Sequence, residues 1–229
     1  MSKHPSLYHS MSSRTLTAGW LYSTVQLFFL PGLLTDFATA WRLSDALINF
    51  VYYSLNFAFT LWIFRRFLGE SLAKAGRHLG RFLLAIVLGF AAHWLTSRAG
   101  GMLLRYFDAG FANVNDQTVA AMIADAPLLM GLGLILMVPV TEECLFRGLI
   151  FGQLHPRSRI LAYGLSAAAF CAIHVVGYIG QVPPLTLALC ALQYVPAGLI
   201  LAFAYRFCGS IAAPILIHAA ANAAAYLSL

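Results

Sequence analysis

The sequence has little charge. Only 10% of its 229 residues are Asp, Glu, Lys or Arg, against 61% that are hydrophobic. A soluble domain carries roughly 25% charged residues. This chain could not cover its surface with polar groups, which excludes a soluble enzyme, a disordered chain and a collagen-like fibre. Acid is scarcest, with eight Asp and Glu residues in all. There is no CxxC pair among Cys144, Cys171, Cys190 and Cys208, so neither a disulfide framework nor a zinc knuckle is indicated. Short alternating segments, the mark of a transmembrane barrel, are missing too. No internal repeat or low-complexity tract is evident.

What is present is a series of long apolar runs, with a mean hydropathy of +0.79. They predict an all-α protein, a polytopic transmembrane helical bundle of about seven spans. The expected spans are 20–41, 46–64, 82–97, 126–154, 160–180, 185–205 and 210–227. Residues 1–19 read as a cytoplasmic tail and 20–229 as one transmembrane domain. Ala38-Thr39-Ala40 faintly resembles a signal-peptidase site, but the apolar stretch is long and more spans follow, so it reads as an anchor. Residues 98–125 read as a longer mixed loop with Asp108, Asp116 and Asp125.

The formal net charge of +6 would suggest nucleic acid in a soluble protein. Here the basic residues sit between apolar runs, where they set topology. Placing Arg65, Arg66, Lys74, Arg77 and Arg81 in the cytoplasm puts Lys3, Arg14, Arg157, Arg159 and Arg206 there as well. Arg42, Arg98 and Arg105 remain outside, and Arg147 lies within a span. The expected partners are thus the bilayer and a membrane substrate, with no nucleic acid. The N-terminus is expected in the cytoplasm.

The fourth span holds Glu142, Glu143 and Arg147. A charge at the bilayer centre costs roughly 2.5–3.5 kcal/mol on insertion scales, so two carboxylates and an arginine there call for a reason. Glu143 and Arg147 are four apart and can pair on one helix face. Glu142 is rotated about 100° from Glu143, which leaves it free to work. The plainer reading is a structural ion pair between helices. The fifth span carries Phe170-x-x-x-His174, and the seventh carries His218-x-x-x-Asn222 among alanines. The i, i+4 spacing puts His218 and Asn222 on one face, suited to a site or to an interhelical clasp. His93 has no companion motif and reads as a core histidine. At roughly 1.5 Å per residue, Glu142 lies ~20 Å, His174 ~21 Å and His218 ~12–18 Å from the cytoplasmic helix ends. Rare polar groups on three helices therefore converge at overlapping depths.

Together, Glu142-Glu143-x-x-x-Arg147-Gly148, Phe170-x-x-x-His174 and His218-x-x-x-Asn222, with Pro139 ahead of them, resemble the CPBP family. This is the CAAX-protease and bacteriocin-processing family, also called Abi, which includes the type II prenyl-protein endopeptidases. The motifs occupy 139–222, and the implied catalytic core is about 126–229. The resemblance implies an intramembrane endopeptidase, and the compact size of the chain suggests a prokaryotic cell membrane. Glu142 and His174 would activate water, His218 and Asn222 would stabilise the oxyanion, and Glu143 and Arg147 would brace the site. The implied substrate is a peptide or protein, lipidated or C-terminal tails among them. No cofactor is implied; zinc on Glu142, His174 and His218 is the alternative, although HExxH is lacking.

Three competing readings remain at this level. Gly164-Leu165-Ser166-Ala167 resembles part of a rhomboid serine motif with His218 as base, but its second glycine is missing and the Glu pair would have no role. Buried Glu, His and Arg also mark proton-coupled transporters, which the absence of a repeat disfavours. A membrane scaffold or immunity protein could retain the same cluster without cleaving anything.

Overall fold

The computed structural model describes residues 11–229, so the first ten residues of the expected tail lie outside the described part. Eight helices and no strand make up the described residues. Helix α1 covers 13–41 as Ser13–Thr24, a π-helical turn Val25–Phe29, and Leu30–Trp41. It is followed by α2 (Asp45–Arg77), α3 (Leu79–Phe107) and α4 (Val114–Asp125). Then come α5 (Pro127–Leu154), α6 (Arg159–Tyr178), α7 (Pro184–Cys208) and α8 (Ala212–Tyr226). Of these, α2, α3, α5, α6 and α7 are long and apolar enough to cross a membrane.

Local signals explain the helix ends. Ser12, Ser44 and Ser158 each accept a main-chain N–H of the first turn, at 3.2, 3.3 and 3.3 Å. Pro127 and Pro184 start α5 and α7, where a missing N–H costs nothing. Gly209, at φ +71°, ends α7 in the left-handed conformation that glycine adopts without strain.

Several boundaries differ from those read off the sequence. The first helix begins at Ser13 and not at Trp20, because the Ser12 cap, not the apolar run, sets its start. Helix α2 extends from the expected 46–64 to Arg77, and α3 from 82–97 to Phe107. Backbone hydrogen bonding continues past the apolar window into more polar sequence. The expected loop at 98–125 holds the end of α3 and all of α4, which Asn113 caps. Helix α8 has 15 residues, short for a span, and packs among its neighbours.

The core lies where α5, α6, α7 and α8 meet, around Phe146, Leu149, Phe151, Phe170, Leu201 and Ile217. Small residues allow close approach. A Cβ on Gly198 would stand 3.0 Å from the Cα of Ala167, so α6 and α7 touch backbone to backbone there. Large apolar side chains such as Phe28, Trp62, Val87, Leu128 and Leu165 face outward. With lipid as the solvent that is the expected surface, and the protein is an integral membrane protein. At one end of the bundle, Ser210 donates to the Ser71 carbonyl at 2.8 Å and Arg81 lies over the Phe207 ring at 5.3 Å.

Candidate active site

The site is assembled on α5, whose path is unusual. Two π-helical stretches, Gly133–Met137 and Cys144–Phe151, flank a short α-helical piece, Val138–Glu143, that begins around Pro139. Proline has no N–H to continue the ladder, and π-turns of this kind frequently mark functional sites. The glutamate pair sits at the junction of the second stretch.

Glu143 and Arg147 are both fully buried. Arg147 Nη1 donates to Glu143 Oε1 at 2.9 Å, and Nη2 donates to the Gly198 carbonyl at 3.1 Å. Arg147 also lies over the Phe170 ring, 4.7 Å from its centroid. The pair expected from the i, i+4 spacing is thus present, and it ties α5 to α7 and α6. A third member joins it: His218 Nδ1 donates to the same Glu143 Oε1 at 3.0 Å. His218 is 6% exposed, so this is an interior ion and hydrogen-bond triad.

Glu142 is free of that triad. Its Oε2 is buried with no hydrogen-bond partner among the described residues. Its side chain lines a cavity of about 60 Å³ with Gln26, Tyr52, Asn56, Thr141 and Ile173. This is the division of labour read from the helical rotation: one carboxylate neutralised, its neighbour available.

His174 is held on three sides. Its Nδ1 bonds to the Phe170 carbonyl at 2.7 Å. Since a carbonyl only accepts, Nδ1 carries the hydrogen and Nε2 is the nitrogen left for chemistry. The ring packs on Phe170 at 4.7 Å and stacks on Tyr194 at 4.2 Å. Phe170 also meets His218 at 5.8 Å, so both histidines flank one aromatic ring. Ile173, not His174, forms the wall of the Glu142 cavity.

Asn222 Nδ2 donates to the Leu134 carbonyl at 2.8 Å, within the first π-turn of α5. The helix clasp considered from the sequence therefore exists. An amide nitrogen has two hydrogens, so one N–H of Asn222 remains for a ligand. His218 and Asn222 share a helix but hold different parts of α5. Ser166, the residue of the serine motif, is fully buried and donates to the Phe146 carbonyl at 3.0 Å, while His218 turns to Glu143. The two do not form a pair.

Among the described residues no three His, Cys, Asp or Glu side chains form a group suited to a metal ion. Glu142, His174 and His218 are therefore not gathered into the alternative zinc site in this geometry.

Two residues beside the site carried no sequence signal. Tyr194 follows Gln193 in a stretch with no charged residue and no motif, and its hydroxyl donates to Asp116 at 2.7 Å and accepts from Asn115 at 3.1 Å. That pins the start of α4 to α7 and holds the Tyr194 ring on His174. Gln26 comes from the first helix, far from the motifs. Only the packing brings these groups to the site.

Residues 124–224 match the family model of Rce1-like type II CAAX prenyl endopeptidases. The match encloses Glu142, Glu143, Arg147, His174, His218 and Asn222, and leaves Gln26, Tyr52 and Asp116 outside. No curated protein and no solved structure matches the chain.

Proposed function

We propose that the chain is a CPBP-type CAAX protease, as the match over residues 124–224 supports, and that it is an intramembrane endopeptidase working by a glutamate-activated water. The observation that carries this reading is the contrast within the glutamate pair. Glu143 is spent on Arg147 and His218, while Glu142 stands unpartnered on a water-sized cavity. An unpaired carboxylate in such a place is costly to keep and suits a general base.

In the proposed reaction the water donates one hydrogen to Glu142 and the other to Nε2 of His174, whose ring comes to the cavity from behind Ile173 when substrate binds. Glu142 takes its proton as the water oxygen bonds to the scissile carbonyl carbon. The carbonyl electron pair moves onto its oxygen, where the remaining Asn222 N–H donates a hydrogen bond. His218 assists from Nε2 when it carries both protons, with the Glu143 carboxylate on Nδ1 balancing that charge. Collapse breaks the C–N bond, and Glu142 returns the proton to the leaving amine. Glu143 and Arg147 hold α5 against α7 and fix the direction of His218.

These roles are complete without a metal ion, so no cofactor is proposed. Zinc held by Glu142, His174 and His218 is the competing assignment, and it would need those three side chains to converge. The substrate class is a membrane-associated peptide or protein, with a prenylated C-terminal tail as the first to try. The proposed setting is the prokaryotic cell membrane with the N-terminus in the cytoplasm. The reading is tested by comparing the termini of membrane proteins in cells carrying the native chain and in cells carrying Glu142→Gln. Termini present only with the native chain are the expected result; identical sets would overturn it.

A further inference from the structure

The cavity beside Glu142 has one wall that lies outside the family-matched residues. Gln26, Tyr52 and Asn56 supply it from α1 and α2. Gln26 sits in the π-helical turn Val25–Phe29, where the wider turn turns its main-chain carbonyl to accept from the Tyr52 hydroxyl at 3.0 Å. The Tyr22 hydroxyl donates to Asn56 Oδ1, and the Thr141 hydroxyl donates to the Met137 carbonyl at 3.2 Å. These three hydroxyls are spent on neighbours, and the Tyr53 hydroxyl, whose residue also lines the cavity, makes no hydrogen bond to Gln26. The Gln26 side chain is different: the residue is 3% exposed, and its Oε1 is buried with no partner among the described residues.

A buried acceptor without a donor is rare and has a reason. Here two such acceptors, Gln26 Oε1 and Glu142 Oε2, belong to side chains on one small cavity. The cavity, about 60 Å³, has room for the water of the proposed hydrolysis. In the proposed reaction that water gives one hydrogen to Glu142 and the other to His174, so it has none left for Gln26. Gln26 needs another donor. An extended peptide entering a site within the membrane brings main-chain N–H groups that lose their water and must be met by the protein.

Resting on the protease reading above, we propose that Gln26 Oε1 accepts a main-chain N–H of the bound peptide beside the scissile bond. The first helix then positions the substrate while the matched domain performs the chemistry. The ligand is the peptide backbone itself, so this contact is indifferent to side-chain sequence.

The test uses the full chain in proteoliposomes with a fluorogenic farnesylated C-a-a-X peptide. In a matched series of that peptide one amide N–H at a time is replaced by an ester oxygen, with the scissile amide kept. Gln26→Leu fills the same space without an acceptor and should melt no lower than the native protein. We expect it to lose about tenfold in kcat/KM, mainly through KM, the scale of one unmet hydrogen bond. One ester position should cost the native protein a similar factor and cost Gln26→Leu nothing further. Undiminished cleavage by Gln26→Leu, or ester losses of equal size in both proteins at every position, would overturn the proposal. Glu142→Gln measured beside them separates the two ideas. If it is inactive while Gln26→Leu behaves as native, the protease reading stands and the Gln26 contact falls. No cleavage by the native chain, or full cleavage by Glu142→Gln, removes the protease reading and this contact with it.

Discussion

Glu142 and Glu143 are neighbours in sequence, yet they live in different surroundings. A single substitution at each should therefore have different consequences. Glu142→Gln keeps the shape and removes the base, so cleavage should fall by at least about 10²-fold while the melting temperature in detergent holds. Near-native cleavage by a well-folded Glu142→Gln would remove the mechanism. Asn222 carries two duties, since one N–H already bonds the Leu134 carbonyl. Asn222→Ala should lower the melt slightly, on the order of the 0.6 kcal/mol average for interhelical hydrogen bonds. It should also lower kcat by about 10²–10³ with little change in KM, as loss of an oxyanion donor does. A large melt shift with native kcat in the folded fraction would leave Asn222 as a clasp alone.

At the scale of elements, the Glu143–Arg147–His218 triad joins α5 to α8, and the Gly198 carbonyl brings in α7. Arg147→Ala would strip the main counter-charge from a fully buried carboxylate, and breaking such a pair costs roughly 3–5 kcal/mol. Expression and melting temperature should both fall. Replacing the pair together, as Glu143→Gln with Arg147→Met, should restore much of the stability. It should not restore cleavage, because His218 would still lack its carboxylate. Equal melts for the single and double variants would mean the two residues are not partners. The α6–α7 contact is tested in the same way. Gly198→Ala would put a methyl group 3.0 Å from the Ala167 Cα, and overpacking of this kind typically costs about 1–3 kcal/mol. An unchanged melt would show that the helices can separate freely.

For the whole molecule, the expected metal independence and the orientation are open to direct measurement. After dialysis against a zinc-specific chelator, elemental analysis should find active protein without stoichiometric metal. Activity lost with zinc and restored by adding it back would favour the Glu142, His174 and His218 zinc site. The expected orientation rests on basic residues to either side of the α2–α3 junction, Arg65, Arg66, Lys74 and Arg77 in the last third or so of α2 and Arg81 in the first turn of α3. A single cysteine placed at His78 in a chain whose native cysteines are replaced should react only with a reagent that reaches the cytoplasm. Labelling from the outer face would invert the topology.

The sequence by itself determined the membrane class and the helical fold, and it marked out the polar residues proposed to carry the chemistry. Those conclusions rest on local physics: apolar run length, the cost of a buried charge, and the 3.6-residue turn that separates Glu142 from Glu143 and joins Glu143 to Arg147. It fixed the helix ends poorly, because Ser12 and Asn113 caps and continued backbone bonding carry helices beyond the apolar windows. Tertiary structure alone decided which partners meet across helices. His218 could have faced Asn222's ligand, Ser166 or Glu143, and packing of α8 on α5 chose Glu143. Likewise Tyr194 against His174, and Gln26 beside Glu142, are separated by long stretches of chain or lie in segments without a motif. No periodicity relates such pairs, since their distance is set by how helices pack and not by how any one of them winds.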